Sequence, residues 1–197
     1  MDKFRDTTKR LLSESLKKLM LDGVSFDKIT IKDITQTAGL IRPTFYNHFH
    51  DKYELLEWIL QSEVFEPSYM LLDLRMFDEA CRMILTRLNE ERAFYAKAIS
   101  IEGQNSFAQI MFSCFERLLR RYLAQQEPDV FPADFWATAE SLAKYCANSF
   151  TYLITMWLSG KVAADVDDMY TIYQYVSTHS LGQMLAGQGW LDTENQR

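Results

Sequence analysis

Arg42, His48, His50 and Lys52 crowd into the stretch AGLIRPTFYNHFHDK, residues 38–52, with Phe45, Tyr46 and Phe49 between them. Histidines two positions apart point to different faces of a helix and do not converge on a metal or a proton. No Gly-rich phosphate loop, Cys-x-x-Cys pair or His-Glu-x-x-His motif occurs elsewhere in the chain. Arg42 and Lys52 instead fall at the starts of two successive helical segments, where a cation opposes the positive end of the helix dipole. An outside anion reverses that sign, because free N–H groups and a cationic side chain then act together. The chemistry available here is anion binding.

The surrounding pattern supplies the helices that must position these residues. Leu12, Leu16, Leu19 and Met20 recur at helical spacing, and the run stops at Gly23, which suits a left-handed C-terminal cap. Thr30 opens a second helix: Asp33 completes a capping box, and Ile29 can staple onto Ile34. Ile31, Ile34 and Ala38 share the inward face of that helix, and Gly39 ends it. About three residues later, the spacing of a helix-turn-helix, a short third helix is expected over 42–49. Pro43 fits its first turn, with Phe45 and Phe49 turned inward. Asp51 then caps a fourth helix whose Leu55, Leu56 and Ile59 continue the core. This packing leaves Arg42, Thr44, Tyr46 and Asn47 on the outer faces of a short helix whose N-terminal end fits a major groove. Lys52 falls in the first turn of the next helix, a place for phosphate.

Net charge is −6 over 197 residues, which taken whole argues against a polyanionic partner. Its distribution argues the other way: residues 1–53 hold 10 Lys+Arg against 7 Asp+Glu, and residues 54–197 hold 11 against 20. A basic front on an acidic body suits approach to phosphate by one end only.

The segment TIKDITQTAGLIRPTFYNHFHDKYELL closely resembles the helix-turn-helix of the TetR family of transcriptional regulators, over about residues 5–60. It shares that family's capped helix, Ala-Gly turn, aromatic Tyr-x-His-Phe stretch and Lys entering helix four. The resemblance implies a regulator of transcription, not an enzyme, that binds a palindromic operator in double-stranded DNA. It implies base contacts from Arg42, Pro43 and Tyr46, phosphate contacts from Thr44, Asn47, His48 and Lys52, and either kind from Lys32. Ile41 stands where the family usually has Ser or Thr, so the recognition helix lacks a side-chain cap, a loss of about 1 kcal/mol.

The expected fold is all-α: a helix-turn-helix DNA-binding domain over residues 1–52 and a helical regulatory and dimerisation domain over 53–197. Pro67 interrupts the fourth helix's run, and EPSYMLLDLRMF reads as a connector. Further helices are expected over about 77–89, 90–100, 105–125, 134–159 and 165–186. The last two carry more apolar surface than one core absorbs. By the family resemblance they pair with their copies in a homodimer, setting two recognition helices about 34 Å apart.

Phe-, Tyr- and Met-rich stretches between these helices suit a small-molecule pocket, with Tyr95, Phe112, Phe115, Tyr145, Asn148 and Tyr152 as candidate lining and Asn105, Gln109 and Thr151 as further polar fixtures. No cofactor and no metal are expected. The effector is a small molecule or, as in some family members, a protein partner bound in its place. The rear half resembles the branch of the family that includes regulators of dihydroxyacetone kinase operons. His179, solitary among apolar neighbours, reads as a packed histidine. Cys81, Cys114 and Cys146 read as free thiols of a reducing compartment, and the apolar run FTYLITMWL is too short to span a bilayer. A cytoplasmic protein follows as the expectation.

Overall fold

Helix α1 (Asp2–Leu21) buries Leu12, Leu16 and Met20, four residues apart along one face. The computed structural model describes residues 2–103, 106–125 and 139–179, together with Gln183, and among these every regular element is helical. Gly23 takes φ +95°, and the chain turns through a 3-10 segment, Phe26–Lys28, into α2 (Ile31–Thr37). The capping box expected at Thr30 and Asp33 is formed in both directions. The Thr30 hydroxyl and then the Thr30 N–H, both donating to the Asp33 carboxylate, hold that carboxyl below the usual range.

Gly39, at φ +68°, reverses the chain into α3 (Arg42–Tyr46). This helix is shorter than expected. Asn47 caps it, and Phe49 is reached through a turn in which its N–H donates to the Phe45 carbonyl at 2.9 Å. Phe45 and Phe49 are buried all the same, their ring centres 5.8 Å apart. The Asp51 carboxylate then accepts from the N–H groups of Tyr53 and Glu54, both at 2.8 Å, and starts α4 (Lys52–Leu60).

The helical path does not stop at Leu60. It widens into a π turn, Gln61–Phe65, and a 3-10 turn, Glu66–Ser68, that admits Pro67. A short helix follows, α5 (Tyr69–Asp73), where the sequence reads as a connector. Five residues without a capping side chain are too few for periodicity to show. Its end is closed by Arg75 at φ +60°, with Met76 N–H donating to the Leu71 carbonyl at 2.8 Å, so an arginine takes the place glycine usually fills.

Helices α6 (Phe77–Glu90), α7 (Arg92–Ala98), α8 (Phe107–Leu123), α9 (Ala139–Leu158) and α10 (Val166–Thr178) build the body. The start expected for α9 near Asp134, and Asn105, lie outside the described residues, whereas α10 ends at Thr178, short of the expected Ala186, because His179 takes extended backbone geometry. One hydrophobic cluster runs from Phe45 and Leu55 through Leu60 and Phe65 to Phe94, Phe115 and Trp157, without a gap at residues 52–53. Trp157 is fully buried, donates from Nε1 to the Ala164 carbonyl at 2.7 Å and carries the Arg92 guanidinium 4.7 Å above its ring. No described helix is long and apolar enough to cross a membrane.

Candidate nucleic-acid interface

The outer surface of α3 is polar and aromatic because Phe45 and Phe49 consume its inner one. Ile41, Arg42, Pro43, Tyr46 and Asn47 are exposed, while Thr44 and His48 are half-buried. Arg42 Nη2 lies 3.4 Å from Tyr46 Oη, one helical turn on, so the guanidinium and the phenol stand side by side at the tip. Lys32 is exposed on α2. Ile41 leaves α3 without a side-chain cap, as the sequence implies, and is itself 69% exposed.

Lys52 requires a correction. Its ammonium turns inward and donates to the carbonyls of Phe26 (2.6 Å), Ile29 (2.9 Å) and Asp27 (3.1 Å), 4.7 Å from the centre of the Phe26 ring. All three N–H donors of the ammonium are thereby engaged, and none is directed at a phosphate. The 3-10 turn ends with its carbonyls pointing at the first turn of α4, and a long flexible cation there satisfies them. Burial lowers the Lys52 pKa, opposed by the charges of Asp27 and Asp51.

A family model described as the C-terminal region of a transcriptional regulator matches residues 76–179, and that of the bacterial regulatory proteins of the tetR family matches residues 21–59. The chain belongs to the TetR family of transcriptional regulators. Such regulators bind DNA and typically form dimers; they are not enzymes. The chain is 30% identical over 120 residues to the HTH-type dhaKLM operon transcriptional activator DhaS of Lactococcus lactis subsp. lactis, a match covering 61% of this chain and 63% of the relative. That is less than two thirds of the relative's length. Among solved structures, the dihydroxyacetone kinase operon activator DhaS superposes with a TM-score of 0.58 at 22% identity, over 93% of this chain and 97% of that one. NalD, the secondary repressor of the MexAB-OprM efflux pump in Pseudomonas aeruginosa, gives 0.55 at 18% identity, over 84% and 92%. At these identities the likeness of the structures is one of fold.

Within this TetR-family body, the six residues expected to line one effector cavity do not share one: Tyr95 and Phe115 are buried, and Tyr145, Asn148 and Tyr152 are exposed. Phe115 lines a small apolar cavity of about 30 Å³ between α6, α8, α9 and α10, with Cys81, Leu85, Phe150 and Tyr173. Tyr145 lines a wider groove of about 540 Å³ near Tyr122, Cys146 and His179. Tyr95 lines a third hollow, of about 330 Å³, beside Glu63 and Glu91. Phe112, Asn148 and Tyr152 line none of these. Helix geometry explains the error: Tyr145, Asn148 and Tyr152 form a stripe opposite Ala143, Ala147, Ile154 and Trp157, the face that is buried. Tyr145 is 71% and Tyr152 65% exposed. His179 stacks on Tyr175, ring centres 4.2 Å apart, as a packed histidine does.

Sequence reasoning missed the polar joint between headpiece and body. Lys17 of α1 pairs with Glu63 of the π turn and, at 3.5 Å, with Glu91 at the start of α7. Ser13 Oγ donates to Glu63 at 3.0 Å, and Lys97 of α7 donates to the Met20 carbonyl at the end of α1 at 2.9 Å. These partners lie far apart along the chain, so no local spacing announces them.

Proposed function

We propose that the chain is a homodimeric repressor of transcription that binds a palindromic operator in double-stranded DNA and is released by a small-molecule effector. The observation carrying this reading is the exposed face of α3, where Arg42, Pro43, Tyr46 and Asn47 stand on a base of buried Phe45 and Phe49. In this reading Arg42, Pro43 and Tyr46 meet base edges, while Thr44, Asn47 and His48 hold phosphates. Lys32 reaches either, and Lys52 serves from behind by fixing the turn at residues 26–29. Residues 1–52 form the DNA-binding unit and residues 53–197 the regulatory one.

Helices α9 and α10 carry exposed Tyr145, Tyr152 and Val176, apolar surface suited to packing against a twofold copy. In this reading an effector bound in the helical body favours a dimer spread too wide for both half-sites. Moving the population from 99:1 to 1:99 takes a preference of roughly 5.5 kcal/mol, divided between two sites in a dimer.

A second reading, an activator answering to a protein partner, is favoured by the relative at 30% identity, which is an operon activator. Transcript levels of the adjoining genes after deletion of this one separate the two. A rise supports repression and a fall supports activation; unchanged transcripts contradict both.

A further inference from the structure

At the joint where α1, the π turn, α6 and α7 meet, a groove of about 330 Å³ opens between Glu63, Glu90, Glu91 and Tyr95. Among the lining residues these three carboxylates face one cation, Arg87, which is paired with Glu90 at 3.0 Å. Glu63 and Glu91 instead hold the Lys17 ammonium, which also lies 5.6 Å from the centre of the Phe94 ring. The joint thus already binds one alkylammonium group, the chain's own.

A second observation is independent of the acids. Tyr95 is fully buried and lines the same groove, and its hydroxyl has no hydrogen-bond partner among the described residues. Burial, and then the charges of Glu63 and Glu91, push its pKa well above the usual phenol value, so it stays protonated beside the carboxylates. A buried hydroxyl left unpaired costs free energy until a ligand or water completes it. Its oxygen can accept an N–H, the carboxylates can accept others, and Val64 and Pro67 offer hydrocarbon to an alkyl chain. A metal ion fits poorly, since no described group of three or more His, Cys, Asp or Glu side chains converges.

We infer that this groove binds an aliphatic primary ammonium, a monoamine or diamine, which competes with Lys17 for Glu63 and Glu91. Displacing Lys17 removes one of the polar ties between α1 of the headpiece and α7 of the body, loosening the headpiece and lowering operator affinity. The binding step stands apart from the regulatory function proposed above; only its effect on operator affinity rests on that reading.

The test is calorimetric titration of the full chain with putrescine and with n-butylamine at constant ionic strength, using tetramethylammonium and magnesium chloride as controls. Saturable heat with the primary amines and none with the controls is expected. Glu63→Gln and Tyr95→Phe each weaken binding about tenfold, and Lys17→Met tightens it about tenfold. Tyr95→Phe without amine must unfold at the parent temperature or above it, because it removes an unpartnered hydroxyl; this separates a lost contact from a lost fold. The inference is overturned by the absence of saturable heat at millimolar putrescine, by equal responses to tetramethylammonium, or by unchanged affinity in Lys17→Met. Operator affinity measured in the same samples distinguishes the failures. Amine binding with unchanged operator affinity overturns the displacement mechanism, and amine binding without any operator binding supports the site and overturns the regulatory reading.

Discussion

Arg42 and Lys52 are both cations at helix starts in the sequence, yet the structure gives them opposite surroundings. Arg42 is exposed beside Tyr46, whereas Lys52 spends its three donors on the carbonyls of the 26–29 turn. The two substitutions should therefore separate. Arg42→Ala is expected to leave thermal stability unchanged and to relax sequence preference, with about 1–3 kcal/mol of discrimination lost at one base position. Lys52→Met is expected to cost about 1–2 kcal/mol of stability, seen in denaturant unfolding, and to leave the salt dependence of binding nearly unchanged. A flatter salt slope with full stability in Lys52→Met would restore it to the phosphate backbone. The cysteines give a further contrast at this scale. Burial pushes the thiols of Cys81 and Cys114 up to about 12, and half-buried Cys146 is raised less. Iodoacetamide on the native protein should label Cys146 first, with Cys81 and Cys114 reacting only on unfolding.

The helices themselves show which kinds of physics are legible in a sequence. The caps at Thr30 and Asp51, the reversals at Gly23 and Gly39, and the inward Phe45 and Phe49 depend on neighbours a few positions away, and all appear as the spacing implies. Helix α5 and the π turn escaped notice because neither is long enough to show a period and because Pro67 reads as a stop. The aromatic residues of α9 look like cavity lining in the sequence because composition cannot say which face of a helix packs; Ala143 and Ala147 take the inward face and leave Tyr145 and Tyr152 outside. Cap energetics can be tested at both recognition-helix neighbours. Asp51→Ala should cost about 1 kcal/mol, or about 2–4 °C in unfolding temperature, through loss of the bonds to Tyr53 and Glu54. Ile41→Ser should raise stability by about 1 kcal/mol, since its backbone already has extended cap geometry and its side chain buries little.

For the molecule as a whole, a continuous hydrophobic cluster joins headpiece to body, while Lys17 and Lys97 tie α1 to the elements behind it. Packed helices, and not a loose linker, connect the body to α3. The exposed stripe on α9 belongs to this scale too. Tyr145→Glu combined with Tyr152→Glu should shift the protein toward monomer in sedimentation velocity and weaken operator binding far more than either half-site contact does, because two linked recognition helices lose their shared site. A dimer that persists unchanged places the interface elsewhere. The central claim is that the exposed face of α3 meets DNA. It is tested most directly by fluorescence anisotropy of the intact protein on the fragment upstream of its own reading frame, titrated over a range of salt, with Arg42→Ala alongside. Saturable binding that weakens as salt rises, with sequence preference lost in Arg42→Ala, is the predicted result; no binding at low salt, or binding whose sequence preference survives Arg42→Ala intact, would contradict it.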